Sequence, residues 1–132
     1  MAKSRLMENK KCFCDTGLLF AECCGLYLEK YQKAPTALAL MRSRYSAYAT
    51  HNADYLLETT YVSERKFYSK SEILKWAVNN KWQKLEILSF TENTVEFKAY
   101  FLDSSQKPQE HYEFSTFKFE NSAWFYLDGK FE

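Results

Sequence analysis

Apolar positions along the chain change period twice. Between Cys12 and Lys33 they follow no period: cysteines, charged residues and the glycines Gly17 and Gly25, one on each side of the cysteine cluster, interrupt every run, so the segment reads as a compact, turn-rich appendage. Pro35 then breaks the chain, and Thr36 can cap a helix whose Leu38, Met41, Tyr45 and Tyr48 keep the three-and-four spacing of one buried face and which ends near Thr50. Asn52 or Asp54 can cap a short second helix through Tyr55, Leu56 and Leu57, since either side-chain oxygen accepts an unpaired first-turn amide. Ser69 and Glu72 form a capping box ahead of Ile73, Leu74, Trp76 and Ala77, which predicts a third helix from Ser69 to about Val78.

From Trp82 the period is two. Gln83, Leu85 and Ile87 oppose Lys84, Glu86 and Leu88, and Val95, Phe97, Ala99 and Phe101 alternate with Glu96, Lys98, Tyr100 and Leu102. Turns at Glu92 to Asn93, Asp103 to Gln109 and Glu120 to Ser122 divide this half into four meander strands, the last two over His111 to Phe119 and Ala123 to Asp128. Helices first and an antiparallel meander afterwards predict an α+β domain whose helices cover one face of a curved four-stranded sheet. Such a sheet can enclose a pocket.

Composition limits what this domain does. In 132 residues one main core is expected, and 10 Tyr, 11 Phe and 3 Trp supply ample material to pack it. Eighteen Lys and Arg against 17 Asp and Glu leave too little net charge for non-specific nucleic-acid or acidic-membrane binding, and the basic tail over residues 1–11, with Lys3, Arg5, Lys10 and Lys11, is a solvated segment. No run approaches the roughly 18 apolar residues of a membrane span, and no apolar block marks a signal peptide, so the chain is expected in the cytoplasm.

Cytoplasmic thiols are kept reduced, so Cys12, Cys14, Cys23 and Cys24 read as metal ligands ahead of disulfides. A pair one residue apart, an eight-residue loop and an adjacent pair can meet around one tetrahedral zinc, a closed and therefore structural site. Four thiolates on a divalent cation carry two surplus negative charges, for which Lys10 and Lys11 stand next to the first ligand. Adjacent cysteines are stiff; either all four fill the shell, or one of Cys23 and Cys24 gives way to water or another side chain. The competing readings are buried free thiols, a vicinal disulfide or a redox pair; the flanking charged and turn residues argue against the first, and nothing resembles a reactive Cys-x-x-Cys at a helix start.

The segment Cys12 to Cys24 resembles the SEC-C motif, the zinc knuckle at the carboxyl end of the SecA translocation ATPase, whose pattern is Cys-Pro-Cys-Gly-Ser-Gly, a basic stretch, then Cys-Cys or Cys-His. All four ligand positions match, while Phe13, Asp15 and Thr16 replace Pro, Gly and Ser, and Leu18-Leu19-Phe20 stands where the pattern is lysine-rich. Without that basic face the loop is expected to dock on its own domain. Leu40 to Tyr48, Asp54-Tyr55-Leu56 and Trp124 to Gly129 are similar to the YchJ-like family, in which a SEC-C motif precedes a domain of the nuclear-transport-factor-two-like fold. The resemblance implies a cystatin-like cone over 34–132 behind a zinc knuckle over 12–33, and it implies little chemistry. Many members carry a second SEC-C motif at the carboxyl end; none is present before Glu132.

If the cone is open, Tyr45, Tyr48, Trp82, Phe97, Phe117, Trp124 and Tyr126 are its candidate lining. Arg42 and Arg44 point about 200° apart on their helix, so at most one faces inward, where it needs a carboxylate such as Asp54, Glu113 or Asp128 or an anionic ligand. Arg42 and these three carboxylates complete the candidate pocket with Tyr45, Tyr48, Trp82 and Tyr126. Proton transfer of the isomerase or dehydratase type would need Asp54, His111, Glu113 or Asp128 inside the cone. His51 and His111 read as surface or capping histidines. There is no phosphate loop and no serine-nucleophile motif. The sequence therefore points to a non-catalytic zinc protein with a protein partner or a small-molecule ligand, a cone-type enzyme being the alternative, and leaves a homodimer open.

Overall fold

The computed structural model describes residues 10–131; Lys3 and Arg5 of the expected tail lie outside the described residues. Lys10 and Lys11 belong to the fold. Phe20 N donates to the Lys10 carbonyl and Cys12 N to that of Leu18, both at 2.8 Å, and Lys11 pairs with Leu19, so the first cysteines stand at the base of a small hairpin. Its bend uses left-handed backbone at Asp15 (φ 65°) and Gly17 (φ 87°), the second of which a glycine takes without strain. A 3₁₀ turn, Phe20–Glu22, leads into helix α1, Cys24–Leu28. Gly25 is not a turn residue: it lies inside α1, where an added Cβ would come within 2.6 Å of the Phe20 carbonyl, so its bareness lets the helix close on that turn.

Helix α2, Ala37–Ala49, starts where Thr36 Oγ1 accepts Ala39 N at 3.0 Å. Its burial is not one stripe. Ala37, Leu40, Met41, Ser43, Arg44, Tyr45, Ser46 and Ala47 are all buried, whereas Leu38 and Tyr48 are half-buried. The reason is position: α2 runs between α1 on one side and strands β1, β2 and β4 on the other, and its small residues let both approach. Asn52, not Asp54, caps α3 (Ala53–Glu58), accepting Tyr55 N at 3.0 Å. A 3₁₀ segment, Val62–Phe67, with no sequence signal, precedes α4, Lys70–Asn79, where Ser69 accepts Glu72 N.

The strands are β1 Lys81–Phe90, β2 Thr94–Leu102, β3 Pro108–Glu120 and β4 Ala123–Phe131, antiparallel in the order β1-β2-β3-β4. The expected alternation holds through β2, with Val95, Phe97, Ala99 and Phe101 buried against the helices. In β1 it slips twice, between Trp82 and Lys84 and between Ile87 and Ser89. Gln83 is thereby exposed and Trp82, opposite Phe101, takes the inward place, since one extra residue in a strand reverses the faces beyond it. The turn before β3 closes within Asp103 to Lys107 because Asp103 Oδ1 accepts the amides of Ser105 and Lys107, so β3 begins three residues ahead of His111. Thr60 pairs with Tyr126 and ties the segment after α3 to the free edge of β4. Among the described residues, no helix is long and apolar enough to cross a membrane.

One cluster of buried side chains runs from Cys12, Cys14, Phe20, Cys24 and Leu28 through Leu40, Met41 and Tyr45 to Leu85, Phe97 and Tyr126. The cysteine segment is thus not set apart as an appendage. Arg42 Nη1 donates to the Cys14 carbonyl at 2.8 Å, and Leu85 N of β1 donates to Asp15 Oδ2 at 2.9 Å.

Candidate metal centre and cavity

The Sγ atoms of Cys12, Cys14, Cys23 and Cys24 lie within 4.8 Å of one another. Each pair comes from a rigid source: Cys12 and Cys14 from the hairpin base, Cys23 and Cys24 from the entry to α1. All four are free thiols, and the 3.6 Å between the sulfurs of Cys14 and Cys23 is far beyond a disulfide bond. Cys12, Cys14 and Cys24 are buried and Cys23 is half-buried. Thr16 Oγ1 stands 3.3 Å from the Cys23 sulfur and 3.7 Å from that of Cys14, and Ser46 Oγ 3.6 Å from that of Cys12. These hydroxyls can donate to thiolates.

The thiols share protons unequally. Donation to Cys14 pushes Cys12 up to about 11, and donation to Cys12, Cys14 and Cys23 pushes Cys24 higher still. The receiving sulfurs go down: Cys14, bonded by Cys12 and then Cys24, and Cys23 to about 6, bonded by Cys24. A cluster that holds thiolates in place with neighbouring thiol protons is one from which a cation can displace the remaining protons. Four sulfurs at this spacing fit a metal ion. Arg42 lines a groove with Thr16, Cys23, Cys24 and Tyr27, so the guanidinium beside the cluster belongs to α2.

Beyond α2 lies a cavity of about 220 Å³, walled by Met41, Arg44, Tyr45 and Tyr48 of α2, Ile73 and Trp76 of α4 and Trp82, Phe97, Ala99, His111, Glu113, Tyr126 and Phe131 of the sheet, with Thr60 and Tyr68 closing it. Its mouth is marked by Tyr68, Trp76 and Phe131, all exposed. Glu113 is its buried anion. His111 Nε2 donates to Oε1 at 3.0 Å, while Ser115 Oγ and the Tyr126 hydroxyl both donate to Oε2 at 2.7 Å. Burial alone would raise the Glu113 carboxyl, but these three bonds outweigh it and hold the group below the usual carboxylate range. Burial and the Glu113 charge together push the Tyr126 phenol up, so it stays a donor.

Of the residues nominated from sequence, the structure brings Tyr45, Tyr48, Trp82, Phe97, His111, Glu113 and Tyr126 to this cavity. It takes three away. Arg42 faces the cysteine segment, Asp54 is exposed and paired with Lys70 at 2.7 Å, and Asp128 is exposed on β4. Phe117 is buried beside Tyr126 outside the cavity, and Trp124 lines a separate groove with Tyr27, Tyr31 and Phe125. The inward arginine is Arg44, four residues after Leu40 and four before Tyr48, a spacing that already sets it on their face. His111 is no surface histidine: it sits in the wall between the rings of Phe97 and Phe131. Tyr68 and Phe131 carried no period by which a sequence reading could place them, and Trp76 was placed on its helix but not in the cavity. His51 is exposed after α2 with φ 62°.

A family model described as "YchJ, middle NTF2-like domain" matches residues 36–129. The chain belongs to this YchJ-like family. A UPF0225 protein of Photorhabdus laumondii is 38% identical over 125 residues, covering 89% of this chain and 79% of that protein, and one of Geobacter sulfurreducens is 35% identical over 125 residues, covering 89% and 77%. The solution structure of a SEC-C motif containing protein from Rhodopseudomonas palustris superposes with a TM-score of 0.83 at 33% identity, covering 90% of this chain and 96% of that one. The crystal structure of a SEC-C motif containing protein from Psychrobacter arcticus gives 0.80 at 31%, covering 93% and 83%. The α+β cone with a cysteine knuckle in front of it is therefore the family architecture, and UPF0225 relatives bring no established activity with them.

Proposed function

We propose that this YchJ-family chain is a non-catalytic, cytoplasmic zinc protein in which one zinc ion on Cys12, Cys14, Cys23 and Cys24 is structural and the cavity beneath the sheet binds a small organic molecule. The convergence of four sulfurs inside the shared core carries the metal half. Sulfurs about 2.3 Å from a tetrahedral zinc stand about 3.8 Å apart, and Cys14 and Cys23 are already at 3.6 Å. Four protein ligands leave no open position for a reacting water. A protein partner on the knuckle is the weaker use: Phe20 goes into the core, and of the loop's large apolar side chains Leu18 and Leu19 alone are exposed. Protein purified without added zinc should contain about one zinc per chain. Less than a tenth of that, with four freely titrating thiols, would overturn the proposal.

One observation favours a second reading, a proton-transfer enzyme. His111 donates Nε2–H to a buried carboxylate at 3.0 Å, which leaves Nδ1 as its basic nitrogen in the wall of a cavity. A cavity ligand that is converted by the native chain and bound but not converted by His111→Gln would establish it. Binding without conversion removes it.

A further inference from the structure

Arg44 is a buried cation with no ion-pair partner among the described residues. It is 7% exposed, and among the described residues no carboxylate lies within ion-pair reach of it. Its hydrogen bonds among those residues all leave from Nη1, to the Leu56 carbonyl at 2.8 Å, Thr59 Oγ1 at 2.7 Å and Thr60 Oγ1 at 3.5 Å. All three acceptors are neutral. No buried side-chain nitrogen among the described residues lacks a partner, so Nε and Nη2 reach open space, and the space that Arg44 lines is the cavity. The guanidinium carbon lies 4.5 Å above the Tyr126 ring, which holds one flat face of the fork in place. Glu113 sits at the far end of that ring, on its hydroxyl, with three hydrogen bonds already made.

We infer that the cavity is a site for a single-ring aromatic carboxylate, its carboxylate on Arg44 and its ring among Tyr48, Trp82 and Phe97. The inference rests on the ligand-binding half of the proposed function. Size sets the ring: an apolar cavity of about 150 Å³ accepts benzene, so about 220 Å³ admits one ring with a small substituent and excludes a nucleotide or a steroid. The walls set its character, since Tyr48, Trp82 and Phe97 all line the cavity and offer it aromatic surface against which a planar ring packs. Charge sets the substituent. Glu113 already accepts from His111, Ser115 and Tyr126, whereas Arg44 meets only neutral acceptors among the described residues. The group that fits beside it is therefore a monoanion, which offsets one guanidinium where a phosphate dianion overshoots. A carboxylate also matches the guanidinium fork with two parallel bonds.

Benzoate and its neutral isostere benzamide test this, titrated into the zinc-replete chain with the Trp82 indole N–H signal followed by NMR. Benzoate should shift that signal saturably, and benzamide should bind at least about tenfold more weakly, the value of one charge-assisted bond. Ala99→Leu, which fills the cavity from β2, should abolish the benzoate shift. Arg44→Lys, which keeps the charge and loses the fork, should bring benzoate down toward benzamide. Equal binding of the two probes overturns the carboxylate assignment and leaves the cavity a ligand site. A benzoate shift untouched by Ala99→Leu overturns the location. No shift with either probe, in protein whose zinc content and fold are intact, removes the cavity from the function and leaves the metal half standing.

Discussion

Gly129 and Gly17 show how differently one missing side chain can act. At Gly129 on β4 an added Cβ would come within 2.6 Å of both the Tyr126 hydroxyl and the Glu113 Cδ, the centre of the cavity's hydrogen-bond set. Gly129→Ala should therefore destabilise the chain by about 1–3 kcal/mol as an overpacked buried site does, read from urea unfolding, and should disturb the His111 ring signals by NMR. Gly17 has open space around it and φ 87°, so Gly17→Ala costs only its left-handed backbone, about 1–2 kcal/mol, and leaves His111 unmoved. Glu113 gives a pH signature. Its carboxyl is lower in the folded chain than the ordinary 4.5, so it stabilises the fold fully above that value and the contribution is lost as pH falls through the lower folded value. Unfolding free energy measured from pH 6 down to about 3 should fall less steeply below 4.5 in Glu113→Gln than in the native chain. Parallel curves would mean that the carboxylate is not held by its three donors.

The elements were legible where one period or one cap fixes them. Thr36, Asn52 and Ser69 cap the helices they were expected to, and β2 alternates from end to end, because these signals act within a few residues. They failed where tertiary contact decides. Nothing local marks the 3₁₀ segment Val62–Phe67, and the slip that turns Trp82 inward is visible only in the pairing of β1 with β2. Between elements, Asp15 is the instructive case. It stands where the SEC-C pattern has glycine, takes left-handed backbone itself, and uses its carboxylate to hold Leu85 N of β1 at 2.9 Å. Asp15→Ala should cost about 1.5–3 kcal/mol, the value of a hydrogen bond to a charged group. Asp54→Ala breaks only an exposed pair with Lys70 and should stay within about 1 kcal/mol. Equal losses in the two variants would mean that the knuckle is not latched to the sheet through Asp15.

At the scale of the molecule, the grouping of the four cysteines could be read from spacing but its place could not. A segment of cysteines and turn residues has no hydrophobic period, so the sequence presents it as separate; yet Cys12, Cys14 and Cys24 are buried with Phe20 and Leu28 in the cluster that continues through Leu40 to Leu85 and Phe97. The same burial decides how the fold should respond to losing the zinc proposed for this cluster. An appendage would melt by itself and leave the sheet standing, giving two transitions. Here removal of a zinc ion leaves mutually repelling thiolates, or thiols that must each regain a proton, against one side of α2, whose other side is the wall of the cavity. The helix cannot loosen on one face and keep the other, because Arg42 holds the knuckle while Arg44, two residues on, holds the end of α3 at Leu56 and Thr59. Treatment with a zinc chelator should therefore lower the midpoint of a single cooperative unfolding transition. Near-ultraviolet circular dichroism from the cavity's tryptophans should fall together with the far-ultraviolet signal. A chelated chain that keeps the Trp82 environment while only the cysteine segment becomes labile would show that the two parts fold independently.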